Sequence, residues 1–551
     1  MESSGETGGS AKSGMLSRAA RMLRPSHEHS PFSATLLLMA AVMLSRVIGY
    51  VREAYIAWAF GAGSLTDAYT AAFTIPDWLN YLVAGGAASI TFISIYTRFL
   101  AEKREAEAEK TFSVIITVMS TVLIAGILLM EIFTRPVERL IFPGFSASQL
   151  DLCVGLTRIL LPAQLFFYVG AVLGAVLLSR RMFLIPAITG VVYNVGIIAG
   201  GIIGARRFGI ASLAVGALAG CLAGPFLMNA IGAARTGIRY RPSFDFRNPA
   251  FREWVVLSIP LMLGVSLATA DDWILRVFAS HGIGDITRLN YAKRLFAVPM
   301  AVLGQATGQA SLPFFARLWG DRKKTEFAAQ VNGSVYRVVS ASFLGSAWMM
   351  AVALPIVDLV YRRGHFVFAD SRETAALFFW FAISLAFWSA QALYSRAFYA
   401  VGNTLTPMVA TTIVTALSLP VYWALFHRWN VVGLALASDI GIAGNTIVLA
   451  VLLHRRKLVG AAGLAGRELG KAFLTAVIAG AAALWVARLV PVNGSRAADF
   501  AALGLATLTW AAAVAAGLWL SGSDLPRNLL RRPRAATVPA VNPPGSSQMQ
   551  P

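Results

Sequence analysis

The chain is written in long apolar stretches separated by short charged clusters. Windows of about 20 apolar residues, the length a helix needs to cross hydrocarbon, fall at 33–60, 66–99, 111–134, 150–179, 183–204 and 209–233. A basic loop from Arg235 to Arg252 follows. Further windows lie near 254–279, 286–316, 328–360, 372–400, 405–426, 431–453, 470–490 and 498–521. The pattern predicts an all-α integral membrane protein of about fourteen transmembrane helices. Pro76, Pro162, Pro186, Pro260, Pro299 and Pro355 interrupt several windows. Such breaks are tolerated where neighbouring helices or cavity water satisfy the freed backbone groups.

Residues 66–89 and 287–311 share a pattern. Thr66-Asp67-Ala68-Tyr69 precedes Pro76, Gly85 and Ala88-Ser89, while Asn290-Tyr291-Ala292 precedes Pro299, Gly308 and Ala310-Ser311. The spacing predicts two pseudo-symmetric six-helix lobes, a design that places a transporter's site between repeats. The expected division is a basic cytoplasmic tail at 1–32, an N-terminal lobe at 33–234, a basic linker at 235–253, a C-terminal lobe at 254–456, a terminal helix pair at 457–522 and a second tail at 523–551. Both tails are expected to be disordered.

Composition and charge refine this picture. The chain is 57% hydrophobic and only 13% charged, against roughly 25% charged for soluble domains, with mean hydropathy +0.65. It cannot cover a soluble globule with polar groups. The net charge of +20 is expected to serve orientation and anionic lipid rather than nucleic acid. With the N-terminus in the cytoplasm, the cytoplasmic loops carry most of the Lys and Arg, including Lys103-Arg104, Arg180-Arg181, Arg322-Lys323-Lys324 and Arg455-Arg456-Lys457. Both termini are therefore expected on the cytoplasmic side of a bacterial inner membrane. The first thirty residues lack the continuous apolar core of a cleaved signal. Cys153 and Cys221 lie in apolar runs and six scattered histidines form no cluster, so no metal spacing or disulfide framework is expected. No P-loop or nucleophile elbow is present, and Asp271-Asp272 lacks a second acidic pair. Enzyme and nucleotide-driven pump readings are weak.

The chemistry is expected where charges fall inside apolar windows, since each costs about 2.5–3.5 kcal/mol at mid-bilayer. The first window holds Arg46, Arg52 and Glu53, and the second opens on Asp67. Arg46 and Arg52 are some 120° apart on a helix and can flank one sector, with Glu53 tethering Arg52. The seventh and eighth windows add Asp271, Asp272, Arg276, Arg288, Lys293 and Arg294. Two basic clusters facing a cavity suit an anionic substrate, because guanidinium forks bind phosphate bidentately. Asp271 and Asp272, being adjacent, are not expected to face the same way; Arg158 and Arg396 are expected to snorkel or pair structurally, and Asp77 to cap a resumed helix.

Ser45-Arg46-Val-Ile-Gly49-Tyr-Val-Arg52-Glu53, continuing through Phe60-Gly61-Ala62-Gly63 to Thr66-Asp67-Ala68, resembles the N-terminal signature of the MurJ/MviN lipid II flippases of the multidrug/oligosaccharidyl-lipid/polysaccharide exporter superfamily. Arg158 to Pro162, Arg181 to Pro186 with Asn194, Leu289 to Arg294 with Pro299, Arg363-Gly364 and Phe398 to Pro407 extend the likeness over about residues 35–520. The resemblance implies fourteen helices, an alternating cavity, and outward flipping of undecaprenyl-pyrophosphate-linked disaccharide pentapeptide for cell-wall synthesis. It implies Arg46, Arg52, Glu53, Asp67 and Arg294 as substrate-binding residues, to which the charge pattern adds Lys293, and a polyprenyl groove beside the last two helices, with Trp485 and Trp510. No cofactor is expected; the coupling ion or membrane potential is left open, and the partners are a lipid-linked saccharide and membrane lipid, with the protein a monomer. The chain departs from the family after Pro76, where Asn80-Tyr81 and Gly85-Gly86 replace basic and acidic residues, and at Lys293, where Asn or Asp is common. Flipping of another undecaprenyl-linked oligosaccharide and drug/cation antiport are the alternatives.

Overall fold

The computed structural model describes residues 31–81, 87–263, 267–460, 463–492 and 495–530. Helix α1 (Pro31–Phe60) ends at Gly61, whose φ of +69° turns the chain out of the helix. The second window does not run as one helix. It divides into α2 (Ser64–Ala71), α3 (Thr74–Leu79) and α4 (Ala87–Ala101), with Pro76 in the first turn of α3, where a missing N–H is harmless. Next comes α5 (Glu105–Ile141), with Glu105 and Glu107 in its first turn and Arg139 in its last, matching the helix dipole. The cap of α6 (Ala147–Leu160) is Ser146, whose Oγ accepts the Gln149 N–H at 3.3 Å. Helices α7 (Ala163–Ser179), α8 (Leu184–Phe208) and α9 (Ala211–Cys221) follow. A π turn at Leu222–Met228, widened around Pro225, leads into α10 (Asn229–Ala234).

The next segment, expected as a linker, runs along α5: Arg239 N–H donates to Glu109, Arg241 N–H to Ser113 Oγ and Ser243 N–H to Thr117 Oγ1, at 3.1–3.3 Å. Lys110 pairs with Asp245 at 2.7 Å and holds that carboxyl below its usual range. Helices α11 (Pro249–Leu263) and α12 (Leu267–Ala279) cover the seventh window. Then α13 (Asp285–Pro299) and α14 (Thr307–Gly320) flank a second π turn at Met300–Ala306. Asn80 and Tyr81, beyond Pro76, also adopt π geometry, so both proline-bearing segments of the sequence repeat widen after the proline. Bends of 65° and 43° separate α15 (Lys324–Ala351) from α16 (Ala353–Tyr361) and α17 (Phe368–Ile383) from α18 (Leu385–Ala400). A 51-residue run, α19 (Leu405–Arg455), breaks at Trp429 and Asn430 and so holds two expected windows. Last come α20 (Gly466–Leu489), α21 (Arg496–Leu520) and α22 (Leu525–Leu530).

Among the described residues no strand occurs, and seven helices are long and apolar enough to cross a membrane, or nine if each bent pair is one span. Large apolar side chains face outward, with Ile203 83% and Leu140 82% exposed. Water would penalise that surface and hydrocarbon does not, so the chain is a multi-pass membrane protein. Helices α1, α8 and α9 pack together, and α20 and α21 dock as a pair on α15. The C-terminal tail is ordered further than its polar composition suggests. Leu525 is fully buried, and Glu468 accepts from Ser523 Oγ at 2.9 Å and Asp524 N–H at 3.2 Å. The remaining expected tail residues, 1–30 and 531–551, lie outside the described residues.

Candidate substrate cavity

A cavity of about 650 Å³ lies between the helices of residues 31–234 and those of 249–455. Four arginines (Arg46, Arg52, Arg276, Arg294) and two carboxylates (Glu53, Asp77) line it, with Tyr50, Asn194 and Asn290. The excess is cationic. A second cavity of about 370 Å³ shares Asp77, Arg276, Asn290 and Arg294 with the first and adds Asp272 and Lys293.

The centre is built on one turn of α1. Buried Glu53 accepts from Arg52 Nη2 at 2.5 Å and faces Arg294 Nε at 3.6 Å. Arg52 Nη1 donates to Asn194 Oδ1 on α8 at 2.8 Å. Tyr50 donates its hydroxyl to the Arg294 carbonyl at 2.9 Å. One carboxylate thus fixes two guanidinium groups from two parts of the chain, and Arg294 keeps half of its side-chain surface free. Arg46 lines the cavity and makes no ion pair among the described residues. Arg276 donates to Thr74 Oγ1 at 3.1 Å and Asp77 Oδ2 at 3.3 Å. Asp77 therefore pairs across the cavity instead of capping α3; a carboxylate facing a guanidinium is held more firmly than one facing only amides.

Two predicted residues stand elsewhere. Asp67 is fully buried and absent from either lining. Its carboxylate accepts from Gly284 N–H at 2.5 Å, Thr287 N–H at 2.9 Å and Thr287 Oγ1 at 2.7 Å. It sits in the first turn of α2 and receives the N-terminus of α13, so two helix dipoles favour its charge. Gly284 must be glycine there: its φ is +84°, and a Cβ would lie 2.9 Å from the Ala62 carbonyl oxygen. Lys293 borders the second cavity but is held by Asp271 at 2.5 Å and by Asp272. The two aspartates, expected to diverge, grip one ammonium, because its flexible stem reaches between them. Asp271 also accepts from the Tyr422 hydroxyl and from Ser438 Oγ at 3.0 Å. Arg288 is engaged by Asp285, Asp370 and Glu373, away from the cavity.

Sequence reasoning gave no role to Asn194, Tyr50 or the Arg276–Asp77 pair. Asn194 lies 142 residues from Arg52, a separation no local pattern reveals. A polar residue in an apolar window was the available signal. Arg158 faces Glu131 at 3.8 Å, and Arg396 stacks over Tyr399. Trp510 donates to the Leu344 carbonyl at 3.1 Å, tying α21 to α15, whereas Trp485 is exposed.

Both ends of the cavity are bridged. At the end where α1 finishes, the Asp67 bonds are joined by His365 N–H donating to the Trp58 carbonyl at 3.0 Å. At the opposite end, where α4 finishes, Arg98 Nη1 and Nη2 donate to Glu253 at 2.9 and 2.5 Å. Deeper, Thr91 Oγ1 and Ser258 Oγ are 2.7 Å apart.

Residues 56–498 match the family described as lipid II flippase MurJ. The lipid II flippase MurJ of Burkholderia cenocepacia is 28% identical over 441 residues, 77% of this chain and 84% of that one. A solved structure of a lipid II flippase MurJ in an inward closed conformation aligns with a TM-score of 0.73 at 23% identity, covering 90% of this chain and all of that one. A multidrug resistance MATE family transporter in an inward-facing conformation aligns at 0.61 and 14% identity, over 76% of this chain and 98% of that one, a likeness of fold alone. With its helical membrane fold and a cationic cavity between two groups of helices, the chain belongs to the lipid II flippase MurJ family.

Proposed function

We propose that this protein flips lipid II, the undecaprenyl-pyrophosphate-linked peptidoglycan precursor, from the inner to the outer leaflet of the bacterial cytoplasmic membrane by alternating access. The observation that carries the reading is the Arg52–Glu53–Arg294 junction in a cavity with four arginines and two carboxylates. A pyrophosphate needs cations that stay charged away from water, and guanidinium groups do so. Arg46 and the free face of Arg294 are placed to meet it, while Glu53 keeps Arg52 and Arg294 from repelling one another. Family membership supports the same substrate. The coarse assignment is a transporter.

In this reading both termini are cytoplasmic and the protein acts as a monomer, so the Asp67 end faces outward. The two closures differ in strength. Hydrogen bonds to a charged group contribute about 1.5–3 kcal/mol, and Asp67 accepts three. An exposed ion pair such as Arg98–Glu253 contributes about 0–1 kcal/mol. The cytoplasmic end opens more readily, which admits substrate from the leaflet where it is made.

Complementation of a conditional lipid II flippase depletion strain tests the function. Wild type is expected to restore growth, and Arg52→Ala and Arg294→Ala, inserted at equal levels, to fail. A correctly inserted wild type that does not rescue would transfer the assignment to another undecaprenyl-linked oligosaccharide.

A further inference from the structure

Asp439 lies in the second half of α19, and neither of its carboxylate oxygens has a hydrogen-bond partner, although the residue is only 7% exposed. The charged groups facing it are Asp271 from α12 and Lys293 from α13, and the neutral Tyr422 hydroxyl faces it from the first half of α19. Helices α17 and α18, packed on the same run, bring the Ser384 hydroxyl from the bend between them. Ser384 donates its single hydrogen to the Phe381 carbonyl at 2.8 Å, so its oxygen can only accept from Asp439. The nearest cation is committed too, since Lys293 is gripped by Asp271 and Asp272. An ionised carboxylate in this place has no free donor, and its one facing cation is already shared by two other carboxylates, an arrangement that a buried charge tolerates poorly.

We infer that Asp439 is a proton-binding site and that its proton is the ion coupled to transport; this rests on the transporter reading above. Ser438, the neighbouring residue, lines the second cavity, which brings water within one residue of the carboxylate. A proton arriving from the outer side binds the Asp439 carboxylate and leaves to the cytoplasm, while the anionic lipid moves the other way. Loss of the proton makes Asp439 a third carboxylate competing for Lys293. Lys293 adjoins Arg294, whose guanidinium faces Glu53 across the main cavity, so a change in the ion pairs of Lys293 acts on the same turn of α13 that carries the phosphate-facing arginine. Proton occupancy and cavity shape are thereby linked. A sodium ion seeking the Asp271–Asp272 pair would have to displace a bound ammonium.

Two measurements test this on the purified full-length protein. Infrared difference spectra of the wild type, titrated to alkaline pH, are expected to lose the carbonyl band of a buried carboxylic acid. Asp439→Asn is expected to lack the band, and Asp439→Glu to shift it. A wild-type band unchanged in Asp439→Asn would overturn the site. In sodium-free proteoliposomes with the potential clamped at zero, flipping of fluorescent lipid II by wild type is expected to rise severalfold when a pH gradient is imposed. Asp439→Asn is expected to show no rise over its own zero-gradient rate. An equal response in both, or a flipping wild type indifferent to the gradient, would overturn the coupling. A wild type that keeps the band but flips nothing under any gradient would fall on the lipid II reading and leave the proton site standing.

Discussion

Arg52 gives its two Nη groups to different partners, Asn194 on α8 and Glu53 on its own helix, and a lysine cannot copy that fork. Arg52→Lys is therefore expected to keep the cavity's charge and still lose most function, read as failed complementation at normal membrane levels. Glu53→Ala removes the shared carboxylate and leaves two guanidinium groups facing each other. Breaking a buried pair from one side costs about 3–5 kcal/mol, so a thermal melt in detergent should fall by several degrees, and by more than for Arg98→Ala on the exposed rim. Asp67 lies outside both cavity linings and ties α2 to the start of α13. Asp67→Asn keeps the shape but loses the charge that three donors and two helix ends favour. A cysteine placed at Ile286, buried beside Thr287, is then expected to be labelled by a membrane-impermeant thiol reagent at least tenfold faster, the ratio that about 1.4 kcal/mol corresponds to.

At the scale of elements, α8 and α9 approach so closely that side chains are excluded between them. A Cβ on Gly200 would lie 2.5 Å from the Gly216 Cα, and one on Gly196 would lie 2.5 Å from the Gly220 Cα. Small residues at this spacing let two backbones pack where the hydrophobic effect is absent between helices. Gly200→Val is expected to lower stability by about 1–3 kcal/mol through overpacking. Gly155→Ala in α6, where a Cβ would meet nothing within 4 Å, should be neutral or slightly stabilising because alanine has less backbone freedom to lose. Thermal melts of the two variants in one detergent separate these cases. The π turns at Leu222–Met228 and Met300–Ala306 are a second device of this scale. The latter places Met300, Ala301 and Gln305 on the cavity wall, so a local widening of the helix shapes the site.

For the molecule as a whole, transport requires the two bridged ends to part in turn. Thr91 and Ser258 bring their γ oxygens within 2.7 Å across the closure on the side where α4 finishes, close enough for cysteines to bond after small adjustment. Thr91→Cys/Ser258→Cys is expected to cross-link under oxidation, abolish flipping, and recover it on reduction. The native Cys153 and Cys221 are buried and should not compete. Unchanged transport by the fully cross-linked protein would show that this end need not open.

The pattern of apolar windows determined by itself that the chain is a helical membrane protein, because hydrocarbon forces every backbone polar group into a helix or barrel. The same one-dimensional signal placed Arg46, Arg52, Glu53 and Arg294, since charges in apolar windows stand out without any contact being known. It could not decide partners. Whether Lys293 faces substrate or Asp271 and Asp272, and whether Asp67 lines a cavity or receives the N-terminus of α13, depends on helices brought together from over 200 residues apart in the latter case. Nor could composition show that Leu525 is buried, because the acceptor that orders its turn is Glu468 on another helix. The sequence determined which groups must find polar company inside a membrane; the tertiary structure alone decided which company each one found, because pairing energy falls off within a few ångströms while sequence separation sets no limit on it.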